Sequence, residues 1–243
     1  MITRLVTSLT LLMLVGTINT ATAQRRVLGV IGIDSRRILT ESDGFYNAIG
    51  RVNVARFARK STCTGTLIAP NQVVTAAHCI HSNRTGKLAA PDTIHFVAGK
   101  RLDKHVAHST VKEVRLLPNF KLKLPPDHAF FATDVAVLIL NKPMQLETPP
   151  LAAPLPTRNL PLAHILYSKD RPTLPAIDET CRMRGGTSKL WHTDCDTNFG
   201  GSGGPVFERG EDGLTFIGIM VGIAPHKTSF MVPVTSFVDL LGE

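Results

Sequence analysis

The sequence predicts an all-β protein, a barrel or a sandwich, on three observations. Short apolar runs rich in Val, Ile and Thr recur along the chain, separated by Gly, Pro and Asn turns. Long amphipathic helix patterns are nearly absent. The composition, 43% hydrophobic and 19% charged with no low-complexity tract, is that of a chain able to bury a core. Its 243 residues suffice for one large domain or two small ones sharing an interface.

Taken in order, residues 1–23 read as an export signal. Arg4 gives a basic start, an apolar run follows over 5–15, and Ala21-Thr22-Ala23 offers the small residues that signal peptidase reads. The run is too short for a comfortable bilayer span, and no later stretch qualifies, so no stable membrane insertion is expected after its removal. Residues 24–37 are an N-terminal arm or propeptide. Strand runs follow at 48–55, 64–68, 72–75, 93–97, 111–117, 134–140, 204–207 and 214–223. Between the runs at 134–140 and 204–207, Pro143, Pro149, Pro150, Pro154, Pro156 and Pro161 make poor material for a central strand. That stretch reads as the connection between an N-terminal half, 38–145, and a C-terminal half, 146–243. At the end, Phe237, Leu240 and Leu241 form one face of a short terminal helix.

Four cysteines in an exported chain predict two disulfides, and their order and grouping favour Cys63–Cys79 and Cys181–Cys195. No C-x-x-C occurs, and His105-x-x-His108 alone is a weak ligand pair, so no metal and no cofactor is expected. The formal net charge is +8. Basic residues gather at Lys100, Arg101, Lys104, Lys112, Arg115, Lys121 and Lys123, opposed by Asp103 and Glu113. They read as solvated strand faces, and no nucleic-acid partner is inferred from them.

Three separated segments carry chemistry. Thr75-Ala76-Ala77-His78-Cys79 brings a histidine to the end of a strand. Asp134-Val135-Ala136-Val137-Leu138 puts an acid at the start of one. Gly200-Gly201-Ser202-Gly203-Gly204-Pro205 sets a serine in a turn nearly free of side chains. A hydroxyl becomes a nucleophile when a base takes its proton, and imidazole titrates near working pH. A carboxylate beside the imidazole fixes its tautomer and stabilises the cation that forms. Glycines around the serine let backbone N–H groups reach a substrate carbonyl oxygen.

With these segments in the order His, Asp, Ser, residues 38–241 resemble the chymotrypsin/trypsin-like serine peptidase superfamily, with features of the bacterial branch that includes glutamyl endopeptidases. The resemblance implies two six-stranded antiparallel β-barrels with the site in the cleft between them. It implies His78, Asp134 and Ser202 as catalytic triad, and the N–H groups of Gly200 and Ser202 as oxyanion hole. Met220, Val221 and Gly222 would be the strand that pairs with substrate backbone. The Cys63–Cys79 bridge would pin the histidine loop. The implied function is a secreted or periplasmic serine endopeptidase, a monomer acting on polypeptide substrates through an acyl-enzyme.

Two departures from the family pattern bear on mechanism. Animal members have an Asp just before the serine, which receives the new N-terminal amine after activation cleavage. Gly201 stands there, so that ion pair is not available even though Arg37-Ile38 looks like a cleavage point. Their substrate strand usually opens Ser-Trp, where this chain has Met220 and Val221. For specificity, Asp196 lies six residues before Ser202, the offset of the acid at the base of the pocket in trypsin-like members. That predicts a preference for Lys or Arg. Thr197 matches instead the acid-preferring glutamyl branch, and a small or apolar preference stays open as well.

Other classes fit less well. The nucleophile elbow of α/β-hydrolases must run from a strand into a helix, whereas Pro205-Val206-Phe207 continues as a strand. No Lys follows the glycines as a phosphate loop requires. The non-enzyme alternative is a catalytically silent binding protein of the same fold acting through its basic surface.

Overall fold

All eight sequence-predicted strand runs fall on strands of the structure. The structure is a computed structural model and describes residues 27–42, 44–56, 59–82, 84–152 and 157–242. The expected export signal, residues 1–23, lies outside them, as do Pro154 and Pro156 of the connection. Among the described residues no helix is long and apolar enough to cross a membrane.

The first strand, β1 (Arg37–Ile38), turns away from its sequence neighbours and belongs to the second half of the molecule. The next six strands are β2 (Ile49–Arg56), β3 (Arg59–Ala69), β4 (Gln72–Thr75), β5 (Ile94–Ala98), β6 (Ala107–Leu116) and β7 (Ala136–Leu140). They close into an antiparallel barrel in the order β2-β3-β4-β7-β6-β5. Period-two alternation aims Ile94, Phe96 and Ala98 of β5 inward, where they meet Val52, Leu67, Val73 and Leu138. β7 is buried along its whole length, as its unbroken apolar run requires. A single α-helical turn, α1 (His128–Phe131), precedes β7; the Asp127 carboxylate caps it by accepting from the Phe130 N–H at 2.8 Å.

The C-terminal half contains β8 (Leu162–Ser168), β9 (Arg171–Asp178), β10 (Met183–Gly186), β11 (Trp191–Thr193), β12 (Pro205–Gly210), β13 (Gly213–Ala224) and β14 (Thr228–Pro233). Here the expected second layer is present as one sheet. The strands form an eight-stranded antiparallel sheet ordered β1-β9-β8-β12-β13-β14-β11-β10. The six inner strands match the expected count, and short β1 and β10 extend the edges. An isolated bridge, Pro161↔Arg182, brings the chain before β8 back beside β10, where the Leu162 N–H donates to Cys181 O and the Met183 N–H to Leu160 O. β9 escaped the sequence reading because it carries Pro172 and Pro175. It tolerates them near an edge whose outer neighbour pairs through two residues only, Arg37↔Ile177 and Ile38↔Ala176. Ile38 thus sits with the second half, not at the head of the first barrel.

The expected short terminal helix is present in 3-10 form. Val234–Ser236 and Val238–Leu241 are two 3-10 turns, with Phe237 N–H bonded to Val234 and Leu240 N–H to Phe237. Phe237 between them adopts a non-helical φ of −139°, which breaks the run. Its ring is nonetheless buried, and Leu240 and Leu241 pack on the core as the pattern predicted.

Both disulfides form: Cys63 with Cys79 and Cys181 with Cys195, closing segments of 16 and 14 residues. Loops of this size contribute about 3 kcal/mol each. Part of the basic stretch is structural rather than a solvated face. The Arg101 guanidinium donates to the carbonyls of Leu39 and Glu41, and Arg115 to that of Gly242.

Candidate active site

The buried end of β4 runs into a 3-10 turn, Ala77–Ile80, that carries His78 and Cys79. The Cys63–Cys79 bridge ties this turn to β3. From the other side, α1 ends in a tight turn in which the Asp134 N–H bonds to Phe131 O, placing Asp134 just before β7. Its carboxylate is fully buried and both oxygens face the histidine. Oδ1 accepts the His78 backbone N–H at 2.8 Å, and Oδ2 lies 2.5 Å from Nδ1. A carboxylate only accepts, so Nδ1 carries the proton and Nε2 is left as the basic nitrogen. Burial pushes the imidazole pKa down, but the charge and hydrogen bond of Asp134 outweigh it, so His78 titrates above its usual range.

Ser202 enters from the C-terminal half on the loop before β12. Gly200 and Gly203 on either side have φ of +96° and +78°, a conformation that favours glycine. Gly203 is doubly constrained, since a Cβ there would lie 2.2 Å from Thr75 Oγ1. The N–H groups of Gly201, Gly203 and Gly204 are taken by the carbonyls of Asn198, Met220 and Gly201. Among the described residues no carbonyl takes the N–H of Gly200 or of Ser202.

Thr64 on β3 joins the two halves behind the serine. Its N–H donates to Ser202 O at 2.9 Å, its hydroxyl donates to Gly200 O at 2.9 Å and accepts the Tyr167 N–H at 2.8 Å. Its carbonyl accepts the Thr75 hydroxyl. Sequence reasoning missed Thr64 because a threonine inside a strand carries no motif; its only mark is its place next to Cys63. It also missed His164, fully buried in β8. The His164 ring donates from Nδ1 to Pro205 O at 3.0 Å and accepts the Thr197 hydroxyl at Nε2, 3.2 Å.

His78 and Ser202 line one cleft. Thr197, Asn198 and Phe199 form one wall of it, on the segment leading to the serine, and Met220, Val221 and Gly222 of β13 another. Leu122, Leu124, Phe130 and Phe131 roof it, so the lining is mostly apolar. Phe131 lies flat against Gly222: a Cβ at 222 would meet its ring at 2.2 Å.

Asp196, the acid expected at the base of the pocket, is not among the residues that line this cleft. Its carboxylate points away, into the N-terminal arm. Oδ1 accepts the Ile31 N–H at 2.7 Å, and Oδ2 accepts the Ser35 N–H and hydroxyl, each at 2.8 Å. Asp196 is only 1% exposed, so those donors, and not a substrate side chain, satisfy it. Asp194 lies at the surface, paired with Arg184. The one close group of potential metal ligands among the described residues is Cys63, His78 and Cys79. Its two sulfurs are bonded to each other and have no thiolate to offer a metal.

Comparisons with known proteins agree with this architecture. The chain is 30% identical over 203 residues to Serine protease 23 of Bos taurus and 28% identical over 204 residues to that of Homo sapiens. Both alignments cover 76% of this chain, but only 53% and 52% of those proteins, so the chain spans about half the length of these relatives. Among solved structures, a Glu endopeptidase superposes with a TM-score of 0.71 at 18% identity, covering 87% of this chain and 97% of that one. The VesB protease of Vibrio cholerae gives 0.66 at 13% identity, covering 89% and 67%. Likenesses at such low identity speak for the fold alone. The Trypsin family model matches residues 46–241, the span holding both halves and the cleft. On that match the chain belongs to the trypsin family of chymotrypsin/trypsin-like serine peptidases.

Proposed function

We propose that this chain is an exported serine endopeptidase in which Ser202 attacks the scissile carbonyl, His78 is general base and then general acid, and Asp134 orients His78. The observation that carries the reading is the His78–Asp134 pair, two hydrogen bonds to one buried carboxylate that leave Nε2 as the basic nitrogen of a ring lining one cleft with Ser202. In the proposed sequence, Nε2 takes the Ser202 proton as Oγ bonds to the carbonyl carbon. The imidazolium then protonates the leaving amine, and water repeats the cycle on the acyl-enzyme. The unengaged N–H groups of Gly200 and Ser202 suit the role of donors to the oxyanion, where each such donor contributes about 3–4 kcal/mol. Met220, Val221 and Gly222 would supply the strand edge for the substrate backbone.

Since Asp196 is engaged elsewhere, the wall residues Thr197, Phe199, Val221 and Ile223 set the side-chain preference, and they favour apolar residues in the substrate. Export is supported by two disulfides in a chain without free cysteine among the described residues. The silent-binder alternative is weakened by the intact His78–Asp134 geometry and by the internal engagement of Arg101 and Arg115.

The test is Ser202→Ala in the full chain. The fold should persist while peptide hydrolysis and labelling by a fluorophosphonate are lost, with a rate drop on the order of 10⁶. A wild-type chain that neither hydrolyses peptides nor takes the label defeats the proposal.

A further inference from the structure

The N-terminal arm, residues 27–36, is folded into the molecule directly behind the cleft. Its contacts fall into two sets. Near its start, the carbonyls of Leu28 and Val30 accept from the N–H and the Nδ1 of His226, at 3.1 Å each. His226 sits in the turn after β13, three residues beyond Ile223 of the cleft wall. Gly29 O accepts the Thr197 N–H at 3.0 Å, and a Cβ on Gly29 would be 2.5 Å from Thr197 O, so backbone presses on backbone there. Ile31 and Ser35 occupy both oxygens of Asp196.

The second set centres on Arg36. Its side chain is fully buried, bonded through Nε and Nη2 to Asp34 and through Nη2 to Asp170 at 2.9 Å. Asp170 in turn accepts from Asn198 Nδ2 at 2.7 Å. Asn198 O then holds the Gly201 N–H, and Phe199 O holds the Lys169 N–H. Burial opposes charge on Asp170, yet the bonds from Asn198, Ser168 and Arg36 outweigh it and keep its pKa at about 2, so the link is ionic.

We infer that the retained, uncut arm is a strut that holds the serine loop in its working shape, with Arg36 and Asp196 as positioning residues. The inference rests on the peptidase reading above. The arm ties residues 196–198 to the turn at His226, so it fixes the two cleft walls against each other. It also fixes the chain four residues upstream of Ser202. That supplies by internal contacts the support for which Gly201 has no side chain. Cleavage at Arg37-Ile38 would therefore uncouple the strut instead of switching the enzyme on. The bond is also poorly presented, because both residues lie in β1 paired to β9, and Arg37 is clamped by Glu41 and Glu179.

The experiment uses the full exported chain, wild type against a Ser35→Ala/Arg36→Ala double variant and Arg36→Lys. Fluorophosphonate inactivation of the double variant should slow at least about tenfold, with Arg36→Lys recovering part of the loss. Hydrogen exchange should quicken in 196–201 and 224–228 and stay unchanged in β2 to β7. Wild-type inactivation and exchange rates in the double variant overturn the inference. A variant that fails to fold is bypassed by N-terminal sequencing of fluorophosphonate-labelled wild type. Labelled chains that retain residues 28–36 support the strut, and labelled chains beginning at Ile38 overturn it. If wild type takes no label, the peptidase reading fails, while the exchange comparison still decides whether the arm holds the loop.

Discussion

His164 is a buried imidazole in β8 with no exposed atom, held neutral between a carbonyl and a hydroxyl. Burial pushes its pKa down to about 4; the Pro205 carbonyl and the Asp178 charge act against that shift, and Arg36 adds to it. In the unfolded chain the same ring titrates at about 6.5. Between these values the unfolded state binds the proton and the folded state does not. Stability is therefore complete above about pH 6.5 and falls as the pH drops toward 4. The gap corresponds to about 3 kcal/mol in full, of which about 2 kcal/mol is lost by pH 5.

Neighbouring titrations leave the window from pH 7 to 5 interpretable. His78 has a raised pKa, so its stabilising charge is already present at the acid end of the window. The carboxyls of Glu41 and Asp170, both at about 2, lose their contribution only below the unfolded carboxylate range. Asp196 is raised by burial, so its protonation as the pH falls works in the opposite direction. The assay is urea unfolding at pH 7 and pH 5 for wild type and His164→Gln, a side chain that keeps a donor and an acceptor without titrating there. Wild type should lose about 2 kcal/mol more than the variant between the two pH values. Parallel losses would refute a neutral, buried His164.

Two further outcomes follow from the same geometry. The kcat/KM for a peptide substrate should rise with pH to a midpoint above about 6.5, because only neutral His78 is a base and Asp134 raises its pKa; a midpoint below that value, or a flat profile from about pH 5 to 8, contradicts the His78–Asp134 assignment. Gly201→Ala should cost about 1–3 kcal/mol in urea unfolding, since its Cβ would sit 2.3 Å from Thr197 Oγ1 and drive that hydroxyl off His164; a change within about 0.5 kcal/mol would show that the loop yields freely.

The sequence by itself determined the β class, most strands of the first barrel and the segments that carry the candidate triad. Period-two runs such as that of β5 and the unbroken apolar run of β7 are local signals, readable wherever one face or both must be buried. The glycines around Ser202 and the histidine beside Cys79 are equally local. Tertiary structure alone decided the destination of the arm and the meaning of Asp196. At the right offset from Ser202, a carboxylate at 196 reads as a specificity acid. Yet its partners, Ile31 and Ser35, lie 165 and 161 residues away, and no spacing rule reaches that far. The same holds for Thr64 behind Gly200, 136 residues apart, and for β9, whose prolines hid a strand that the edge of the sheet accommodates. A hydrogen-bonding side chain can be satisfied by whichever donor the fold delivers, so its type and neighbours fix what it can do, and only the packed chain fixes with whom.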